Sequence, residues 1–119
     1  HNLVSPFVRI GEGTLIAQPF NHIPSDCQIG KFVWINSYNG IGHDSQIGDY
    51  TTLFSRINVG GGVIIGQDCV VGSGATIRPY TKIGNNVVIG GGSMVVKDVP
   101  DNVVVAGNPA KVIKENKEK

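Results

Sequence analysis

Counting from Ile23 in steps of six meets an aliphatic residue thirteen times in succession: Ile23, Ile29, Ile35, Ile41, Ile47, Leu53, Val59, Ile65, Val71, Ile77, Ile83, Ile89 and Val95. A period of six is neither the 3.6 of a helix nor sustained alternation, so each unit counts one short strand plus one turn. The residue after the aliphatic is often glycine, as at Gly30, Gly42, Gly48, Gly60, Gly66, Gly72, Gly84 and Gly90. The residue four after it is usually small or β-branched, as at Cys27, Ser45, Thr51, Val63, Cys69, Ala75, Thr81 and Ser93. Residues two apart on a strand share a face, so that small residue and the next aliphatic both point inward. Three units make one triangular coil of about 18 residues. The spacing therefore predicts an all-β chain, a left-handed parallel β-helix of hexapeptide repeats with roughly five triangular coils, glycine taking the bends and a short cap closing the C-terminal end. Val4, Ile10 and Ile16 hold the same period, and one extra residue near His22 shifts its phase, which reads as a bulge or loop at a corner. A two-sheet sandwich fits poorly, because its turns come every ~8 to 12 residues and its strands need longer alternation.

Composition agrees with a fold made of repeated turns. Gly reaches 17 of 119 residues while aromatic residues stay at 7%, which leaves few large anchors for an ordinary globular core. A net charge of +1 is no footprint for nucleic acid, and no apolar run approaches the ~20 residues that span a bilayer. The chain reads as one soluble, cytoplasmic module: residues 1–110 as the β-helix, residues 111–119 as a charged tail or short helix. Its start at His1 suggests a piece of a longer protein.

A β-helix needs only its inward positions for stability, so chemistry is sought where corner residues depart from the bland pattern. His43 is the one histidine inside the uninterrupted repeat, in the turn after Ile41 and Gly42, with Asp44 beside it and Asn36 one unit earlier. A corner histidine can be an ordinary solvated residue or a base. Residues eighteen apart share a corner of successive coils, which sets Gly61 directly above His43. The run Gly60, Gly61, Gly62 leaves that spot bare, where a ligand can approach the backbone and an exposed N–H can face a developing oxyanion. A tight corner with a spare glycine is the plainer alternative. The second run, Gly90, Gly91, Gly92, falls eight units from His43 and hence on a different edge. If both serve one site, that site lies between subunits, and a closed cyclic trimer supplies it. Cys27 and Cys69 occupy inward positions on different faces, so neither a disulfide nor a metal pair is expected; no metal site is. Near the end, Lys97 and Lys111 are either solvated or placed to meet a cofactor's phosphates.

These residues carry a resemblance to a family. Gly42 His43 Asp44 followed by Ile47 Gly48 Asp49, the closing Lys97 Asp98 Val99 Pro100, and Ala106 Gly107 Asn108 Pro109 Ala110 Lys111 resemble the hexapeptide-repeat acyltransferases. Within them the likeness is to the sialic acid O-acetyltransferases and UDP-4-amino-sugar N-acetyltransferases, and it covers essentially the whole chain. The resemblance implies transfer of an acetyl group from acetyl-CoA to a hydroxyl or amine of a sugar or sugar nucleotide, in a homotrimer with coenzyme A between subunits. It makes His43 the general base and Asp44 its partner, sets Asn36 at the acceptor or thioester end, and assigns Gly61 and Gly91 to the cofactor, for which Ser73, Lys97 and Lys111 are further candidate contacts. Some relatives carry a second histidine nine residues after the base, where this chain has Thr52. They also often carry an N-terminal nucleotide-sugar domain. The rivals are another acceptor, as in the antibiotic acetyltransferases, whose usual long loop is missing from 23–99, and a catalytically silent assembly subunit.

Overall fold

The computed structural model describes residues 1–117. Two-residue strands recur along the chain and collect into three parallel sheets, the faces of a left-handed triangular prism. The first face stacks Leu3–Val4, His22–Ile23, Gly40–Ile41, Asn58–Val59, Thr76–Ile77 and Met94–Val95. The second stacks Arg9–Ile10, Gln28–Ile29, Gln46–Ile47, Ile64–Ile65 and Lys82–Ile83. The third stacks Leu15–Ile16, Trp34–Ile35, Thr52–Leu53, Val70–Val71 and Val88–Ile89, and is extended by Val103–Gly107 and Ala110–Glu115. Six levels on the first face correct the expected five coils, because the first irregular turn is also a rung.

Register confirms the eighteen-residue wrap: Ile41 lies against Val59, Ile47 against Ile65 and Leu53 against Val71. The first coil pairs nineteen apart, as in Leu3 with His22 and Arg9 with Gln28. The extra residue is taken up between Ile16 and His22, in the corner that contains the cis Gln18–Pro19 bond. The thirteen aliphatics are all buried, none more than 4% exposed. Each removes a side chain from water for roughly 1.5–3 kcal/mol, and the inward small residues between them relieve crowding near the corners.

The bends are made differently from the expectation. The glycines following the aliphatics are not in the left-handed region; the left-handed residue comes two positions later and is often bulky, as at Asp26, Phe32, Tyr38, Asp44, Tyr50 and Arg56. Glycine after the aliphatic serves close approach between coils instead. A Cβ on Gly48 would lie 2.6 Å from the carbonyl carbon of Gly66 in the next coil, nearer than real Cβ contacts allow.

One inward column begins with two buried asparagines. Asn21 and Asn39 are each 1% exposed, and their side chains stitch successive coils. The Asn21 side-chain oxygen accepts from Asn39 N–H at 3.0 Å, and that of Asn39 accepts from Ile57 N–H at 2.9 Å. The Asn39 amide donates to the carbonyls of Asn36 and Phe54. Each buried amide thus finds partners on both sides.

The C-terminal segment departs from the tail or short helix expected over 111–119. Val103–Gly107 joins the third face in parallel, the chain turns at Asn108–Pro109, and Ala110–Glu115 returns antiparallel. Val112 and Ile113 are β-branched, and Gly107 takes φ 105° at the entry to the turn, so a hairpin forms where the charged residues read as a tail or a short helix. Residues 118 and 119 of that segment lie outside the described residues. Among the described residues no helix is long and apolar enough to cross a membrane.

Candidate active site

The three edges of the prism sort the chemistry. The edge after the first face carries residues 42–45 and, one coil on, 60–63; with the eighteen-residue wrap, His43, Gly61 and Pro79 form one column along it, and Lys97 lies farther along the same edge, in a last corner shortened by two residues, where Ile83 pairs with Val99. His43 is exposed, and its Nδ1 lies 3.0 Å from Asp44 Oδ2. A carboxylate only accepts, so this contact places the proton on Nδ1 and leaves the lone pair on Nε2. Asp44 can hold that geometry because it occupies the left-handed corner at φ 59°, a conformation Asp tolerates better than most residues.

Nε2 points toward Gly61. A Cβ on Gly61 would lie 2.7 Å from Nε2, so only glycine leaves this approach open. The three glycines have three separate reasons. Gly60 is pressed against the Pro79 backbone, Gly61 faces the imidazole, and Gly62 takes φ 67° beneath the Tyr80 ring. On the edge after the second face the corner N–H groups at the same place in the repeat are capped from the next coil, Lys31 N–H by Asp49, Gln67 N–H by Asn85 and Asn85 N–H by Asp101. Above Gly61 stands Pro79, which offers no side-chain acceptor, and the Gly61 N–H has no partner among the described residues. A base nitrogen and an uncapped backbone donor therefore share one bare corner. That pair can deprotonate a nucleophile and receive an oxyanion.

The edge between the third and first faces holds the other residues singled out in the sequence. Asn36 opens its turn half-buried, with Nδ2 3.4 Å from the Leu53 carbonyl. Ser73 and Gly91 succeed each other one coil apart, both exposed, and a Cβ on Gly91 would lie 3.1 Å from the Ser73 carbonyl oxygen. Lys111 pairs across the terminal hairpin with Ala106, which packs against Gly90 at the top of the same edge. The eight residues thus divide evenly. His43, Asp44, Gly61 and Lys97 lie on one edge; Asn36, Ser73, Gly91 and Lys111 lie on another.

Among the described residues no group of three or more His, Cys, Asp or Glu side chains is placed to hold a metal ion. Cys27 and Cys69 are free and buried, and burial pushes both thiols above their ordinary range. Two features escaped the sequence reading: the Asn21–Asn39 column and a contact of Arg56 with Tyr38 on the Asn36 edge. Both pairs are eighteen residues apart, so wrapping the sequence by eighteen sets each pair on one corner, while the Arg56–Tyr38 contact needs side-chain direction as well.

The signature described as bacterial transferase hexapeptide (six repeats) matches residues 62–97. No curated protein matches the sequence. Among solved structures, a histidine-to-asparagine mutant of perosamine N-acetyltransferase from Caulobacter crescentus, in complex with CoA and GDP-perosamine, is 33% identical with a TM-score of 0.88. The match covers 96% of this chain and 54% of that one. WeeI from Acinetobacter baumannii is 37% identical with a TM-score of 0.86, over 94% of this chain and 54% of its own. The acetyltransferase domain of PglB from Neisseria gonorrhoeae, in complex with acetyl coenzyme A, is 29% identical with a TM-score of 0.91, again over 94% and 54%. The chain spans about half the length of these relatives. Repeat, architecture and relatives agree that the chain is a left-handed β-helix of the hexapeptide-repeat kind, resembling the acyltransferases of bacterial sugars.

Proposed function

We propose that this chain is an acetyl-CoA-dependent acetyltransferase acting on an amine or hydroxyl of a sugar or sugar nucleotide, in the cytoplasm. The carrying observation is the bare corner, where His43 Nε2 faces Gly61 and the neighbouring N–H has no protein partner. Relatives that bind CoA or acetyl coenzyme A, one together with GDP-perosamine, support the choice of donor and acceptor class.

In this reading the acceptor lies beside His43. Asp44 fixes the imidazole with its lone pair outward, Nε2 takes the acceptor's proton, and the freed nucleophile attacks the thioester carbonyl. The carbonyl oxygen gathers negative charge near the Gly61 N–H; the tetrahedral intermediate collapses by breaking its C–S bond, and the proton returns from the imidazole to the leaving thiolate. Transfer is direct, in a ternary complex. Lys97, about three coils of ~4.8 Å from His43 along the same edge, suits a phosphate of the donor. Asn36, Ser73, Gly91 and Lys111 complete the site from a neighbouring subunit, whose first edge closes against the second edge of this one in a cyclic homotrimer.

Calorimetric titration with coenzyme A, followed by acetyl-CoA turnover against a panel of amino sugars and nucleotide-linked amino sugars, tests the assignment. Binding near one site per subunit together with thiol release is the expected result; a folded chain that ignores both coenzyme A and acetyl-CoA would overturn it. His43→Ala should retain coenzyme A binding and lose about 10² to 10⁴ in turnover, the usual contribution of a positioned base.

A further inference from the structure

The corner column on the Asn36 edge runs Phe20, Tyr38, Arg56, Gly74, Gly92, and its character changes abruptly at Arg56. Below that level the ring centroids of Phe20 and Tyr38 lie 5.3 Å apart, and the Arg56 guanidinium carbon sits 4.6 Å above the Tyr38 ring. Above it come two glycines in the left-handed conformation, with φ 78° and 69° and no side chains to cover the guanidinium. Arg56 is exposed, and no carboxylate lies within ion-pairing distance of it among the described residues. Its flat cation is thus held on one side and bare on the other. Next to it a depression of about 470 Å³ opens onto the first face, lined by Phe20, His22, Tyr38, Gly40, Arg56 and Asn58. Gly40 forms its floor, with nothing within 4 Å of where a Cβ would stand.

We infer that Tyr38 and Arg56 form an anion-reading ledge, which selects acceptors carrying a phosphate or carboxylate group. The inference rests on the acetyltransferase reading given above. Asn36, at the acceptor end in that reading, lies on the same edge two residues before Tyr38, so whichever subunit supplies Asn36 supplies the ledge. Ser73 and Gly91, assigned to the donor, begin one coil above Arg56, and the donor's phosphates meet Lys97 and Lys111 farther along the prism. An anion at the level of Arg56 therefore belongs to the acceptor. A guanidinium stacked on an aromatic ring keeps its N–H fork free for bidentate oxygen contacts while losing little motion on binding. The aromatic faces and the open notch receive the ring that carries the anion.

The chain, free and saturated with coenzyme A, is titrated with UDP and GDP as phosphate probes, N-acetylneuraminate as a carboxylate probe, and neutral N-acetylglucosamine. At least one anion should bind while the neutral sugar does not. Arg56→Gln should weaken that anion by about tenfold or more, as loss of a charge-assisted fork does, with coenzyme A affinity and melting temperature unchanged. Arg56→Lys should recover part of the loss. Which probe responds tells a nucleotide-linked acceptor from a carboxylated sugar. Failure of every anion to bind, equal binding of the neutral sugar, an unaltered anion affinity in Arg56→Gln, or a loss of coenzyme A affinity in that variant would each overturn the ledge. Anion binding that depends on Arg56 in a chain indifferent to coenzyme A would keep the ledge and remove the acetyl-transfer reading.

Discussion

At the scale of single residues, the site depends on a missing atom. Gly61 has an ordinary backbone conformation, so alanine is sterically possible there, but its methyl would meet the imidazole at 2.7 Å. The exposed His43 ring can swing aside, and the fold should lose little. Gly61→Ala is expected to keep its melting temperature within a few degrees while turnover falls roughly 10²-fold, the effect of about 1 Å of misplacement. Unchanged turnover would show that Nε2 does not work from this position. The cysteines give a second prediction. Burial disfavours the thiolate of Cys27 and Cys69, so the unfolded chain ionises first as pH rises. Their contribution to stability is complete below the ordinary thiol value of 9.0 and is lost as pH climbs through the raised folded value. Denaturant midpoints should fall above about pH 9, less so in Cys69→Ala, and native protein should resist iodoacetamide at pH 8. Rapid labelling without unfolding would contradict the burial.

At the scale of elements, a strand of two residues has no stability of its own, and each rung depends on the coils on either side. This is why the hexapeptide period was so legible: it is the inward half of every rung, repeated from Ile23 to Val95 with no exception. What was not legible is which residue turns the corner, because left-handed backbone was assigned to glycine on propensity and the fold imposes it on Tyr38, Tyr50 and Arg56 through packing. His43 and its glycine neighbour could be read from an interval of eighteen. The pairing of Arg56 with Tyr38 could not, since it needs side-chain direction as well as register. The hairpin was missed because its charged residues, Lys111, Lys114 and Glu115, point to solvent and hide the strand pattern of Val112 and Ile113. The buried asparagine column gives this scale its own test. Asn39→Ala strips partners from the Ile57 N–H and from the carbonyls of Asn36 and Phe54. Leaving such groups unsatisfied costs about 1–3 kcal/mol each in the worst case, and a total loss of roughly 2–4 kcal/mol is expected by urea denaturation. A change below half a kilocalorie would mean that water reaches the corner and replaces the amide.

At the scale of the whole molecule, the even division of eight residues between two edges sets what the proposed site requires. One rigid prism cannot fold its own edges together, so the proposed site needs a second copy, and complementation can detect this. Mixing inactive His43→Ala with a Gly91→Trp variant that blocks the other edge should restore activity to about a quarter of the wild-type sites when subunits assort at random in a cyclic trimer. No recovery after verified subunit exchange would place the site within one chain. Light scattering on the mixture reports the assembly itself.

The reversal at Asn108–Pro109 bears on a different hazard. A stack of parallel rungs in register is the geometry of a fibre, and its last rung offers unpaired backbone groups to any strand that arrives. By sending Ala110–Glu115 back antiparallel along Val103–Gly107, the chain covers the last rung of the third face with a strand of the wrong direction, which presents Lys111, Lys114 and Glu115 beside the exposed Val112 and Ile113. On that face the backbone that templates each coil on the one before it meets a strand that breaks the parallel order of the stack.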